Sequence, residues 1–98
     1  MEKLKGSQKK RLRALAHGLK PAVMVGQKGL GGELLAAADT ALYDHELIKI
    51  KFLEFKEEKK EMAAQIAAAT KSEVVGIIGN IVIIYRRHPE PGLRKIKI

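Results

Sequence analysis

The sequence predicts an α/β domain of element order α-β-α-β-α-β-β, and three observations carry that reading. Apolar residues alternate between helical and strand spacing along a chain of 98 residues. Glycine- or proline-containing breaks separate the segments, as at Gly18 to Pro21 and Gly26 to Gly32. Near the C-terminus two β-branched runs, 73–78 and 81–86, are joined by Gly79-Asn80, the pattern of a two-residue hairpin turn. Right-handed crossovers then make the first three strands largely parallel and the last antiparallel, giving a four-stranded mixed sheet in a single two-layer domain.

The first helix opens at Ser7 as its cap and runs to His17, with Gly18 and Pro21 ending it. Leu12, Leu15, Ala16 and Leu19 form its inward stripe, and Lys9, Lys10, Arg11 and Arg13 crowd its first turns. Cations at a helix N-terminus oppose the backbone dipole, at a cost of a few tenths of a kcal/mol each, so a ligand is one reason to keep them and a solvated basic face is the other. Residues 22–25 read as a short strand buried on both faces, since nothing polar alternates within them. A second helix spans about 33–45, with Leu34, Ala38, Ala41 and Leu42 inward.

From Ile48 the chain alternates strictly: Ile48, Ile50 and Phe52 face one way, Lys49 and Lys51 the other. This predicts a half-buried strand with a basic outer face. A third helix is expected over roughly 56–70, with Met62, Ala63, Ile66 and Ala69 inward. The domain spans residues 1–98, its core about 7–87, and residues 88–98 read as a basic polar tail that leaves the fold.

Composition narrows the function. Nineteen Lys and Arg against 11 Asp and Glu give a formal net charge of +8, a field that attracts polyanions, with nucleic acid first among them. Cysteine is absent, which removes disulfides, cysteine-ligated zinc and thiol nucleophiles. No apolar run approaches the ~18 residues of a membrane span, and the N-terminus has no signal-like apolar region, so a cytoplasmic protein without a membrane partner is expected.

Between the first strand and second helix lies Gly26-Gln27-Lys28-Gly29-Leu30-Gly31-Gly32. Such a turn is either a plain strand-to-helix connection or a phosphate grip. In the second case its glycines let the backbone approach a ligand, and Lys28 supplies the charge. A P-loop would need Lys at position 32 and a dinucleotide loop Gly at 34, but these are Gly32 and Leu34. What remains is Gly26-x-x-Gly29, which suits a nucleic-acid backbone phosphate.

Catalytic signals are thin. His17 and His45 sit at helix ends, where cation or cap roles suffice, and His88 lies in the tail; Ser7 and Ser72 stand at element starts. No catalytic residue, metal site, cofactor or small-molecule substrate is expected. Of the few aromatics, Tyr85 beside Arg86 and Arg87 is the best placed for one base or sugar contact, unless it closes the core instead.

Three linked segments carry a resemblance: Gly26-Gln27-Lys28-Gly29-Leu30, then residues 45–51 (HELIKIK), then Ile78-Gly79-Asn80 through Tyr85-Arg86. In this order and spacing they resemble the CRM domain (chloroplast RNA splicing and ribosome maturation), most closely its stand-alone bacterial YhbY-type members. The resemblance implies a fold similar to the C-terminal domain of a bacterial translation initiation factor. It also implies RNA binding through the GxxG loop and adjacent basic surface, with precursor large ribosomal subunits and their ribosomal RNA as partners. Relatives often carry Ser or Thr where this chain has Gly31-Gly32, so a glycine caps the second helix here.

The expected site is therefore Gly26, Gln27, Lys28 and Gly29, extended by Lys9, Lys10, Arg11, Arg13, Lys49, Lys51, Tyr85 and Arg86. Lys49 and Lys51 qualify if no helix covers them. The alternative function is docking of the basic surface on a ribosomal or assembly protein, with RNA contact incidental.

Overall fold

A computed structural model describes residues 3–98. The elements come in the expected order: α1 (Gly6–Ala16), β1 (Pro21–Val25), α2 (Gly32–His45), β2 (Leu47–Phe52), α3 (Lys59–Thr70), β3 (Glu73–Ile78) and β4 (Ile81–Tyr85), then a short 3-10 turn at Pro91–Leu93. The strands form one sheet in the order β1-β2-β4-β3. β1 runs parallel to β2, while β4 is antiparallel to both β2 and β3. Thus β1, β2 and β3 point the same way and β4 returns between them.

Alternation within the strands sorts the core onto two faces. Ile48, Ile50 and Phe52 of β2 join Val82 and Ile84 of β4, Ala38 and Leu42 of α2, and Ala63 and Ile66 of α3. This is the expected pairing of a sheet layer with a helix layer. On the opposite face Leu47, Ile83 and Tyr85 pack with Leu12 and Ala16, so α1 adds cover to the other side of the sheet. Gly76 makes that packing close: a Cβ there would stand 2.7 Å from Arg13 Cδ, so the α1 side chain lies directly on the β3 backbone.

Several local expectations change. The N-cap of α1 is Lys5, whose N–H donates to Gln8 Oε1 at 2.8 Å, and Ser7 is an exposed residue inside the helix. Leu15 and Leu19 are exposed: α1 packs on the sheet through Leu12, Arg13 and Ala16, and Leu19 lies beyond its end. β1 is buried on one face only: it is an edge strand, and Ala22 and Met24 are open to solvent. α3 starts at Lys59 rather than 56, with Glu58 as its N-cap at φ −93° and ψ 2°, and residues 56–58 belong to the preceding loop. In its last turn Ala67 and Thr70 face inward while Ala69 is exposed.

The C-terminal segment does not leave the fold. Glu46, buried at the α2–β2 junction, accepts backbone N–H bonds from His88 at 2.8 Å, Lys95 at 2.5 Å and Ile96 at 3.1 Å. The His88 ring packs on Tyr43 with centroids 4.5 Å apart, and Ile96 packs against the α1-side core. A buried carboxylate needs such donors, and these backbone groups supply them.

Candidate nucleic-acid interface

The C-terminal ends of β1, β2 and β3 gather three loops at one end of the sheet. These are the glycine turn after Val25, residues 53–58 after Phe52, and the hairpin turn at Gly79-Asn80. Backbone bonds lock them together: Leu53 N–H and Glu54 N–H donate to Val25 O at 3.0 and 3.2 Å, and Phe52 N–H donates to Asn80 O at 2.8 Å. The glycine turn therefore projects from a fixed base.

Within it, Gly29 N–H donates to Gly26 O at 3.1 Å and Gly29 takes φ +65°, closing a tight turn with Gln27 and Lys28 at its exposed tip. A non-glycine residue pays for that conformation in steric strain. The chain then enters α2 at Gly31, which offers no side-chain cap, so the first N–H groups of α2 remain open beside the turn. A groove of about 720 Å³ follows, lined by the turn, by Met24 of the sheet edge, and by Glu33, Leu34 and Ala37 of α2.

The strand register reveals a second feature on the α1 side. Lys49, Ile83 and Gly76 lie in one row across β2, β4 and β3, and α1 covers it through Arg13. The next row, Met24, Lys51, Ile81 and Ile78, spans all four strands beyond the reach of α1. Met24 is 57% and Ile78 61% exposed, and Lys51 stands exposed between them. Met24 also lines the groove, so the row and the glycine turn are continuous.

The expected basic residues divide sharply. Lys10, Arg11, Lys28 and Lys51 are exposed and make no ion pair among the described residues. Lys9 pairs with Glu73 at 3.4 Å, and Arg13 Nη1 donates to Val75 O at 3.0 Å. Lys49 Nζ donates to the carbonyls of His17 and Leu19 at 3.3 and 3.0 Å, capping the end of α1 that covers it. Arg86 Nη1 donates to Asp39 Oδ1 at 2.6 Å and Thr70 O at 2.8 Å, with its side chain only 18% exposed. Tyr85 is 1% exposed and part of the α1-side core, so it presents no face to a base. Arg86 and Lys49 thus serve as ties between elements, and Tyr85 as packing.

The family model of the CRS1 / YhbY (CRM) domain matches residues 4–86, the span from the start of α1 to the end of the sheet. The chain belongs to this family. An RNA-binding protein of Haemophilus influenzae is 41% identical over 91 residues, covering 92% of each chain. A protein of Pseudomonas aeruginosa named a probable RNA-binding protein is 36% identical over 85 residues, covering 86% of this chain and 82% of its own length. In three dimensions the CRM domain matches the solution structure of a hypothetical Staphylococcus aureus protein described as a candidate RNA binder, with a TM-score of 0.81 at 35% identity, covering 97% of this chain and all of that one.

Two features of this CRM domain escape a reading by residue type. Phe55, an exposed aromatic, places its ring 3.5 Å from where a Cβ on Gly29 would stand, so it supports the turn from below. No sequence signal marks it, since the positive φ that sets the ring under the turn cannot be read from a bulky residue's type. Met24 counts as core by hydropathy and becomes surface because it lies on the α1 side of the sheet in a row that α1 does not reach. Among the described residues no helix is long and apolar enough to cross a membrane, and no three His, Asp or Glu side chains gather as a metal site.

Proposed function

We propose that this CRM domain binds RNA without catalysing a reaction, and that its target is ribosomal RNA within precursors of the large ribosomal subunit. The observation that carries the reading is Lys28, exposed at the tip of a glycine turn that lies beside the uncapped N-terminus of α2. Backbone N–H groups and one cation converge there on a volume that suits a phosphate. Lys51 and the exposed Lys10 and Arg11 extend the positive surface for neighbouring phosphates. The names of the family and of its relatives support RNA as the ligand.

Four such cations give a slope of roughly −3 for log K against log salt on single-stranded RNA. Lys28→Glu weakens binding and lowers that slope by roughly one, with the melting temperature unchanged. A salt-independent affinity, or equal losses of binding and stability in the variant, would defeat the reading.

The open apolar row through Met24 and Ile78 favours a second reading, docking on a ribosomal or assembly protein. Nuclease treatment of a pull-down separates the two, since protein docking survives it.

A further inference from the structure

At the other end of the sheet, where β4 finishes and the C-terminal segment folds back, lies a cavity of about 720 Å³. Its walls carry five cations, Lys3, Lys5, Arg87, Arg94 and Lys97. None of them forms an ion pair among the described residues; Arg94 alone is tied, donating from Nε to His88 O at 2.9 Å. Tyr85 also lines the cavity, and its hydroxyl is the one buried side-chain polar atom among the described residues with no hydrogen-bond partner. α1 begins at the rim, with Lys5 and Gln8 in the wall, so the positive end of its dipole adds to the same field.

We propose that this cavity is a second anion site that binds a phosphate group, with the Tyr85 hydroxyl donating from its floor and Lys3, Lys5, Arg87 and Lys97 neutralising the charge from its walls. Two costs in the fold point to it. Five cations held around one cavity repel one another, and a buried hydroxyl without a partner forfeits its hydrogen bond. A tetrahedral oxyanion relieves both at once, since each oxygen accepts from several donors.

Two acids adjoin the walls and each is already engaged: Glu73 accepts from Leu4 N–H at 3.0 Å and pairs with Lys9 at 3.4 Å, and Glu46 accepts from three backbone N–H groups, so neither pairs with a wall cation. Burial, then Glu46, raise the Tyr85 pKa while Arg87 and Arg94 pull it down. The hydroxyl therefore stays protonated at neutral pH and available as a donor. Leu47, the first residue of β2, pairs with Tyr85, and Phe52, the last, pairs with Val25 before the glycine turn. The two sites are thus separated by the length of β2, about 17 Å at ~3.3 Å per residue. The cavity is independent of Lys28 and of the reading attached to it.

The test is thermal unfolding of the full chain in inorganic phosphate against chloride at equal ionic strength, repeated with a nucleoside monophosphate. A saturable rise in melting temperature is expected. Tyr85→Phe, which keeps the packing volume, reduces the phosphate affinity about tenfold to a hundredfold, the worth of one hydrogen bond to a charged group. In a Lys28→Glu background, where the glycine turn no longer contributes, the rise persists, and adding the double variant Arg87→Gln, Lys97→Gln abolishes it. If the phosphate belongs to RNA, the double variant also lowers the RNA salt slope by roughly 0.7 for each phosphate lost. An unchanged slope assigns the cavity to free phosphate or a nucleotide. No rise with either anion, or the same rise in wild type, Tyr85→Phe and the double variant, overturns the site.

Discussion

The Phe55 ring rests against Gly29, 3.5 Å from the point a Cβ would occupy, and both residues take left-handed backbone angles, φ +56° and +65°. The contact braces the proposed phosphate grip against the β2–α3 loop. Gly29→Ala adds steric strain of about 1 kcal/mol from the left-handed conformation alone, while its Cβ meets the ring at ordinary contact distance. The expected outcome is a melting temperature lowered by several degrees and a larger loss of RNA affinity, measured on the same sample. Full affinity in a protein of wild-type stability would show that the turn does not need this geometry.

Lys49 and Lys51 are two residues apart on one strand face, yet they should behave oppositely. Lys49→Ala removes the donor to the His17 and Leu19 carbonyls and lowers stability by about 1 kcal/mol, with a small effect on RNA. Lys51→Ala leaves stability within about 0.5 kcal/mol and lowers RNA affinity and salt slope. Denaturant unfolding and fluorescence titration of both variants decide it; reversed roles would mean that α1 moves off the sheet when RNA binds.

Arg86 links β4 to Asp39 of α2 and to the last carbonyl of α3 at Thr70. Arg86→Ala should cost about 1–2 kcal/mol, since the bonds are partly open to water, and leave the RNA salt slope unchanged. A lowered slope at constant stability would return Arg86 to the RNA surface.

Removal of the Glu46 carboxylate strands three backbone N–H groups. Glu46→Ala is expected to destabilise the domain by ~3 kcal/mol and to free the segment after His88 for proteolysis. Limited digestion followed by mass spectrometry locates the cuts; protection equal to wild type would mean that the Ile96 packing alone holds the segment.

Burial raises the Tyr85 pKa above its ordinary value near 10. The unfolded chain therefore loses that proton first as pH rises, and the stability contributed by the protonated hydroxyl is complete below pH 10 and lost through the folded-state pKa. Melting temperatures of wild type and Tyr85→Phe should run parallel to about pH 10 and then diverge, wild type falling faster. Parallel curves to higher pH would show that the hydroxyl ionises as readily in the folded state.

The amino-acid sequence by itself determined the element order, the hairpin at Gly79-Asn80, the inward set Ile48, Ile50 and Phe52, and the glycine turn with its lone Lys28. All of these depend on periods of two or about 3.6 residues and on turn chemistry, which act over a few neighbours. Tertiary structure alone decided which cations stay free. Arg86 is tied to a residue 47 positions away, Arg13 to one 62 away, and Glu46 to partners 42 to 50 away. Local patterning carries no record of such distances. Met24, expected in the core, lies open, and Tyr85, which could have met a base or closed the core, is packed, for the same reason: α1 covers one part of the sheet face and leaves the next row open. Exposure is a property of what packs above a residue, and that is fixed only when distant segments meet.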